Sequence, residues 1–455
     1  MNAREENTSA LRSFMHLEAD EADQVLDATL LITEKGGNKL FCGFLLEVLG
    51  KTFKRIDVEF HEDQSYVCEF VIENSKALTL GPWVFAGADK DGKLILSRIK
   101  AANQFPASTR PFFYLLLSCY AGASILKAML GDRVPYASDE EICIDPSLFT
   151  RSPEIFDLEI DLGVAYLAGA GAIGNSLLFA LQFFRVKGLL YVTDPDFVSD
   201  GNLNRCLFFK NSDIGNPKAT TLVAYAQPLL PSLKLYPIKY ELARVPAAKD
   251  GGAWLKRLIV AVDSRRGRRH LQSEIPGEVF DASTTGIAEV VTHYNKQPLD
   301  GRACMGCIYD QDAIEDAHEK HVTEVLGVTL EQVRQNYIEA EAEILIKRKY
   351  PQLTNNIIGI PYDTLFKELC GAGRLVTDGD KQVLAPLAFV SALAGALLAL
   401  TITEHILNIS SYNYWRLSPW CNPNYRLQQV MLKSSKCEFC NRLAFQKGSI
   451  EIWGK

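Results

Sequence analysis

The chain has 455 residues, 47% of them hydrophobic and 23% charged, with a formal net charge of -7. That length exceeds one comfortable core and predicts two or three domains of an ordinary soluble globular protein. The acidic balance excludes a broad nucleic-acid surface, and the amino terminus MNAREENTSALRSF lacks the apolar stretch of a secretory signal, so the cytoplasm is the expected compartment.

Residues 1–152 read as one α+β unit. Between Lys39 and Glu73 the runs LFCGFLLEVLG, RIDVEF and YVCEFVIE are apolar and read as strands. PWVFAGADKDGKLILSRI adds two more, joined as a hairpin by the turn-forming DKDGK of Asp89 to Lys93. A helix is predicted from Phe112 to Leu130, stopped by Gly131-Asp132. Arg151-Ser152-Pro153 reads as a boundary.

Residues 153–455 read as a second unit. An apolar strand, Val164 to Leu167, leads into AGAGAIGNSLLFALQFF. Then follow LLYVTDPD, a helix from Lys218 to Gln227, KLYPIKYEL, and LIVAVD ending on Asp263. Strands alternating with helices at this spacing predict parallel βαβ units, hence an α/β, doubly wound sheet. Ligands of such sheets sit at the carboxyl ends of the strands. Residues 310–360 turn charged and amphipathic, with a capping box at Thr329 and Gln332, and read as a helical insertion. Ala385 to Ile402 is long and uncharged enough for a marginal membrane span. Its small residues and the lack of basic flanks favour a buried core helix, so no membrane partner is expected. No internal repeat is visible.

Gly169, Gly171 and Gly174 form a GxGxxG between a strand and a helix. There the glycines let backbone approach phosphates, and the helix amino terminus supplies N–H groups. Alone, this motif points first to a nicotinamide or flavin enzyme, because Rossmann enzymes are common. Eleven cysteines include the pairs Cys304/Cys307 and Cys437/Cys440, whose four thiolates suit a closed tetrahedral zinc site better than a disulfide framework. Two unrelated pairs of buried or redox thiols remain the alternative.

After the second strand come Asp194-Pro195-Asp196, Asn202-Leu203-Asn204-Arg205, and Lys218 within IGNPKA. This pattern, DxDxVxxxNLNRxxxF…IGxPKA, resembles the ATP site of ubiquitin-activating enzymes and their bacterial relatives ThiF and MoeB. The resemblance covers roughly Ile160 to Cys440. It implies a Rossmann-like adenylation domain that uses ATP and magnesium and carries a structural zinc between the two CxxC pairs. By it, Asp194 binds the ribose hydroxyls, and Asn202, Arg205 and Lys218 face the triphosphate. Asp263 and Asp196 hold magnesium, whose preference is for oxygen ligands. Cys206 stands where the family has glutamine, and Ser264 where it has asparagine.

Cys370, in ELCGAGRL ahead of LAPLAFVSALAGALLALTITEHIL, resembles the cysteine that ThiF-like enzymes carry on a loop crossing the adenylate site. It is the expected thioester cysteine, with Cys206 as its competitor and a small buried hydrophobe as the plain alternative. Among Arg265, Arg266, Arg268 and Arg269, a solvated helix start is the plain reading. Arg268 or Arg269 holding phosphate or an incoming tail is the functional one. The first 152 residues fit a degenerate, inactive adenylation half, from which the family leads one to expect an arginine reaching the γ-phosphate, with Arg4 and Arg12 as candidates by position.

The resemblance implies adenylation of the carboxyl terminus of a ubiquitin-like protein, transfer to a cysteine and delivery to a conjugating enzyme, compatible with a homodimer. It extends to the layout of activating enzymes in bacterial ubiquitin-like conjugation operons of the Bil kind, linked to phage defence. Alternatives are a sulfur-carrier, small-molecule or peptide adenylyltransferase and, from other classes, an NAD-dependent oxidoreductase or a non-catalytic scaffold.

Overall fold

A computed structural model describes residues 2–34, 38–240, 242, 255–309, 313–371, 386–423 and 427–454. The first half begins with α1 (Ala3–Met15), closed at its start by a capping box in which Asn2 and Glu5 exchange side-chain to backbone hydrogen bonds, and α2 (Ala19–Asp27). There follow β1 (Thr29–Glu34), α3 (Lys39–Leu49), β2 (Arg55–Asp57), β3 (Cys68–Ile72), β4 (Trp83–Ala88) and β5 (Leu94–Ser97). α4 (Pro111–Leu130), β6 (Glu141–Ile144) and the single-turn α5 (Pro146–Phe149) complete it.

One sequence expectation fails here. LFCGFLLEVLG is the helix α3, not a strand. Phe41, Phe44, Leu45, Val48 and Leu49 are buried at helical spacing, the Asn38 side chain accepts from Phe41 N, and Gly50 N–H returns to Leu46 O. A run apolar on nearly every side hides its period, and burial decides it. RIDVEF forms only a three-residue strand, because Val58 and Phe60 point into solvent. The β4–β5 hairpin is as expected, with Asp89 Oδ1 accepting from Asp91 N and Lys93 N.

The second half contains β7 (Glu159–Ala168), α6 (Ala172–Leu181), β8 (Arg185–Thr193), α7 (Lys218–Ala226), β9 (Leu233–Ile238), β10 (Arg257–Val260), α8 (Arg265–Ser273), β11 (Glu278–Thr285), β12 (Glu289–Lys296) and the single-turn α9 (Met305–Ile308). Four helices come next: α10 (Ala313–Leu326), α11 (Leu330–Arg334), α12 (Ala340–Lys349) and α13 (Tyr362–Gly371). The chain ends with α14 (Ala388–Ile406), β13 (Tyr414–Leu417), β14 (Leu427–Gln429) and α15 (Leu443–Trp453). The helical insertion thus continues past residue 360 through α13. Val322, Leu326, Val333, Ile346, Tyr362 and Leu365 give it a core of its own, and the Thr329–Gln332 capping box is present.

The two sheets run β2-β1-β3-β4-β5-β6 and β14-β13-β12-β11-β10-β7-β8-β9. Their connections repeat. In each, the first strand (β1, β7) pairs in parallel with the next strand in sequence (β2, β8) and, on its other side, with β3 or β10. β4 or β11 follows in parallel, then two antiparallel strands. A helix follows the first strand (α3, α6), and one long apolar helix (α4, α14) precedes the last equivalent strand. No internal repeat in the sequence shows this duplication; only the family resemblance leads one to expect a second, degenerate half. α14 packs against α6, α4 and α3, so one continuous core joins the halves. Both α4 and α14 are long and apolar enough to cross a membrane, and both are buried in that core.

Candidate nucleotide site and cysteine cluster

In the second sheet the chain leaves β7 for β8 on one side and reaches β10 on the other, which opens a crevice at the carboxyl ends of β7 and β10. Gly169 adopts φ +103°, and a Cβ there would lie 2.7 Å from Ala261 O. A Cβ on Gly174 would lie 2.2 Å from Gly169 O, whereas one on Gly171, the N-cap of α6, would meet nothing within 4 Å. The first and third glycines are therefore demanded by packing, and the second leaves open space at a helix amino terminus. Asn175, not singled out from the sequence, braces the loop. Its buried amide donates to Ala170 O (2.8 Å) and Gly171 O (3.0 Å) and accepts from Phe208 N (3.3 Å).

Asp194 closes β8. Its Oδ2 accepts from Ala170 N at 2.7 Å and its Oδ1 from Asp196 N at 2.9 Å, which ties it to the glycine loop. Burial pushes its pKa up to about 6, against the pull of the Lys218 ammonium. Lys218 begins α7, and its Nζ lies 2.8 Å from Asp196 Oδ2 with 12% of its side chain exposed. Burial works against its charge, but Asp194 and Asp196 outweigh it and raise its pKa. Asp196 therefore holds Lys218 here.

Asn202 ends a short turn in which its Oδ1 accepts from Ser199 N, and Arg205 follows with Nη1 donating to Gly201 O (3.0 Å) and Asn204 Oδ1 (2.7 Å). Arg205, Lys218 and Asp194 all act electrostatically on Cys206, whose thiol lies among them. Cys206 itself is 1% exposed, and burial pushes its pKa up, so it packs rather than reacts.

Asp263 follows the carboxyl end of β10, two residues beyond Ala261, and is exposed. Ser264 caps α8 by accepting from Gly267 N and donates its hydroxyl to Asp363 Oδ2 at 2.9 Å. Asp363, on α13, also pairs with Arg266 (2.6 Å) and His318 Nε2 (3.1 Å), which locks the insertion onto the start of α8. Burial opposes its ionisation, but His318, Arg266 and Ser264 hold its carboxyl well below the usual range. Nothing in the sequence flagged Asp363.

The arginine cluster is a solvated helix start only at Arg265, which is exposed. Arg266 is 5% exposed and Arg268 2%. Arg268 donates to Val262 O and Ala282 O, both at 2.6 Å, and stacks over Tyr309, so it pins the ends of β10 and β11. Arg269 pairs with Glu438 between the second pair of cysteines. Arg4 is bound to Asp23 and Asp27 of α2, and Arg12 is exposed. Cys370 lies on α13 by its backbone, and its side chain falls outside the described residues, as do residues 372–385.

Cys304, Cys307, Cys437 and Cys440 converge, their sulfurs all within 4.8 Å of one another. Neighbouring separations of 3.2 Å (304–440), 3.4 Å (307–440), 3.6 Å (304–437) and 3.9 Å (304–307) bracket the ~3.8 Å edge of a tetrahedron with Zn–S bonds near 2.3 Å. Ser434 N–H points at Cys307 Sγ (3.3 Å) and Cys440 N–H at Cys437 Sγ (3.5 Å), the donors a thiolate-bound metal needs around it. The four residues fit zinc.

The description of the ThiF family matches residues 163–440. The uncharacterized protein y4jF of Sinorhizobium fredii is 26% identical over 323 residues, covering 66% of this chain and 60% of that protein. Human ubiquitin-like modifier-activating enzyme 7 is 37% identical over 130 residues (26% of this chain, 13% of the enzyme), and mouse ubiquitin-like modifier-activating enzyme 6 is 33% identical over 135 residues (27% and 12%). The chain thus spans less than two thirds of each of these relatives. Among solved structures, Escherichia coli MccB with ATP aligns over 66% of this chain and 70% of its own, with 14% identity and a TM-score of 0.37. With more than half of its length matched and the glycine loop, Asp194, Arg205 and Lys218 gathered on one crevice, the chain belongs to the ThiF family.

Proposed function

We propose that the protein uses ATP to adenylate a carboxylate of a protein or peptide substrate, and that this carboxylate is the flexible carboxyl terminus of a ubiquitin-like protein. The observation that carries this reading is the grouping of Asp194, Asp196 and Lys218 against the Gly169 loop, with Arg205 beside them. A substrate carboxylate oxygen attacks the α-phosphorus of ATP, and the bond to pyrophosphate breaks. Two anions must meet, so fixed cations facing the triphosphate lower the barrier. Arg205 offers a fork to phosphate oxygens and Lys218 a point charge, while Asn202 adds an amide. Asp194 accepts from the ribose hydroxyls. Asp263 holds magnesium, which when bound adds charge at the phosphates, and Asp196 serves chiefly to hold Lys218. The cysteine cluster holds a structural zinc, having no open position for a substrate.

The first half is a degenerate partner of the second. The Cys370 thiolate attacks the acyl carbon of the adenylate, the acyl–phosphate bond breaks and AMP leaves, and the resulting thioester is passed to the thiol of a conjugating enzyme. The relatives named for activating ubiquitin-like modifiers support a protein substrate, since their similarity falls on part of this chain at 33–37% identity. Exchange of labelled pyrophosphate into ATP tests the reading. It is expected to require a ubiquitin-like protein with an intact carboxyl terminus. Exchange stimulated by a short peptide alone moves the substrate class to peptides, and ATP-independent binding of a nicotinamide cofactor sinks adenylation.

A further inference from the structure

The helix α1 belongs by chain order to the first half, yet it lies against the arginine motif of the second. Ala3 N donates to Asp200 Oδ1 at 2.8 Å. Asn204 Nδ2 donates to Asn7 Oδ1 at 2.9 Å, with Asn7 4% and Asn204 0% exposed. Asn7 Nδ2 donates in turn to Lys51 O (3.0 Å), and Lys51 Nζ to Phe209 O (2.8 Å), which closes a circuit around the loop. At the other end of α1, Phe14 packs on Gly286, just beyond β11.

Asn204 is the pivot. One end of its amide is committed to Asn7, and the other accepts from Arg205 Nη1 at 2.7 Å. A buried amide with both ends engaged has one orientation, so Asn7 fixes which group Arg205 meets. Beside Asn7, Glu6 sets a carboxylate 4.0 Å from Arg205 Nη1, and 16% of its side chain is exposed. Burial raises the pKa of Glu6 against the pull of Arg205, a sign that the pair is partly desolvated.

We propose that α1 tunes Arg205 within the same chain by two opposed contacts: Asn7, acting through Asn204, is a positioning residue that aims the guanidinium, and Glu6 is a resident anion with which incoming phosphate competes. This rests on the reading that Arg205 faces the outer phosphates of ATP. It makes the first half a working part of the nucleotide site and assigns opposite signs to two adjacent residues of one helix.

The experiment titrates MgATP, and separately AMP, into the full chain and into Glu6→Gln and Asn7→Ala variants by calorimetry, with a thermal melt of each nucleotide-free protein. Glu6→Gln is expected to tighten ATP about fivefold by relieving a partly screened charge contact. Asn7→Ala is expected to weaken ATP roughly tenfold by releasing the Asn204 amide. AMP, which lacks the outer phosphates, is expected to change in neither. Variants that move ATP and AMP together, or a Glu6→Gln protein that fails to gain ATP affinity, reduce α1 to a structural strap and overturn the proposal. Should Asn7→Ala not fold, the sign of the Glu6→Gln effect decides alone. Wild-type protein that binds no ATP overturns the adenylation reading and this inference with it, whereas ATP binding with unmoved variants overturns the inference only.

Discussion

The two halves share a connection pattern and differ in what they carry at the strand ends. In the second half the loop after the first strand holds Gly169, Gly171 and Gly174, the next strand ends on Asp194, and Arg205 and Lys218 follow. The first half keeps the strand, the helix α3 and the long helix α4 but has no NLNR and no aspartate pair in those places. It ends in the β4–β5 hairpin and the short antiparallel β6, whereas the second adds the further strand β14, the insertion and the cysteine cluster. Scaffold and chemistry are thus separable. Burial of α4 and α14 in one shared core maintains the repeated architecture, while the glycine loop, the aspartate pair and NLNR occur in the second half.

The largest expected effect falls on the device the first half lacks. Cys307→Ser, or prolonged chelation, should remove one zinc per chain and destabilise the second half by on the order of 4 kcal/mol or more, read by metal analysis and a denaturant melt. A chain without zinc whose melt is unchanged would make the cysteines a thiol cluster only. Next in size is Lys218→Ala, expected to lower pyrophosphate exchange by about 100-fold or more. Glu73, just beyond β3, the first-half counterpart of β10, is the contrast from the other half: it accepts from Phe105 N, and Glu73→Ala should leave exchange unchanged. Equal losses from both would mean that the first half also has a working nucleotide crevice.

How much of this was legible in sequence follows the same division. The glycine loop and the four cysteines stood out because their chemistry demands particular residue types at short spacings, and Asp194, Asn202, Arg205 and Lys218 because in order and spacing they resemble a family pattern. The α3 helix was misread because it is apolar on almost every side. Pairings across long separations were also hidden: Asn7 with Asn204, Ser264 with Asp363, and Arg268 with the carbonyls of Val262 and Ala282 depend on tertiary approach that no local pattern encodes. The repeat, expected only through the family resemblance, leaves no internal similarity in the sequence for the same reason. It survives in the strand connections, where many apolar sequences serve equally well.

A smaller effect separates the halves by pH. With its pKa pushed up to about 6, Asp194 gains a proton as pH falls through that value and loses an acceptor for ribose. ATP affinity is expected to weaken by up to about tenfold from pH 7.5 to pH 5. A flat profile would show that Asp194 does not contact the nucleotide in its ionised form.

The smallest predicted effect compares the sibling helices. α4 contains no acidic residue, whereas α14 carries Glu404, 4% exposed near its carboxyl end, where burial outweighs the contacts of Thr150 and Arg151 and pushes its pKa up to about 7. An acid whose pKa is higher folded than unfolded binds protons more tightly in the native state. Its penalty is absent below about pH 4.5, grows as pH rises, and is complete above about pH 7. Glu404→Gln is therefore expected to stabilise the protein by on the order of 1–2 kcal/mol at pH 8 and by little at pH 5, measured as paired denaturant melts. A carboxylate kept at such a cost on the helix that joins the halves is best explained by its contacts with Thr150 and Arg151, in the segment that links the two sheets. If Glu404→Gln instead destabilises at pH 8, those contacts exceed the burial penalty, and the junction depends on an ionised Glu404.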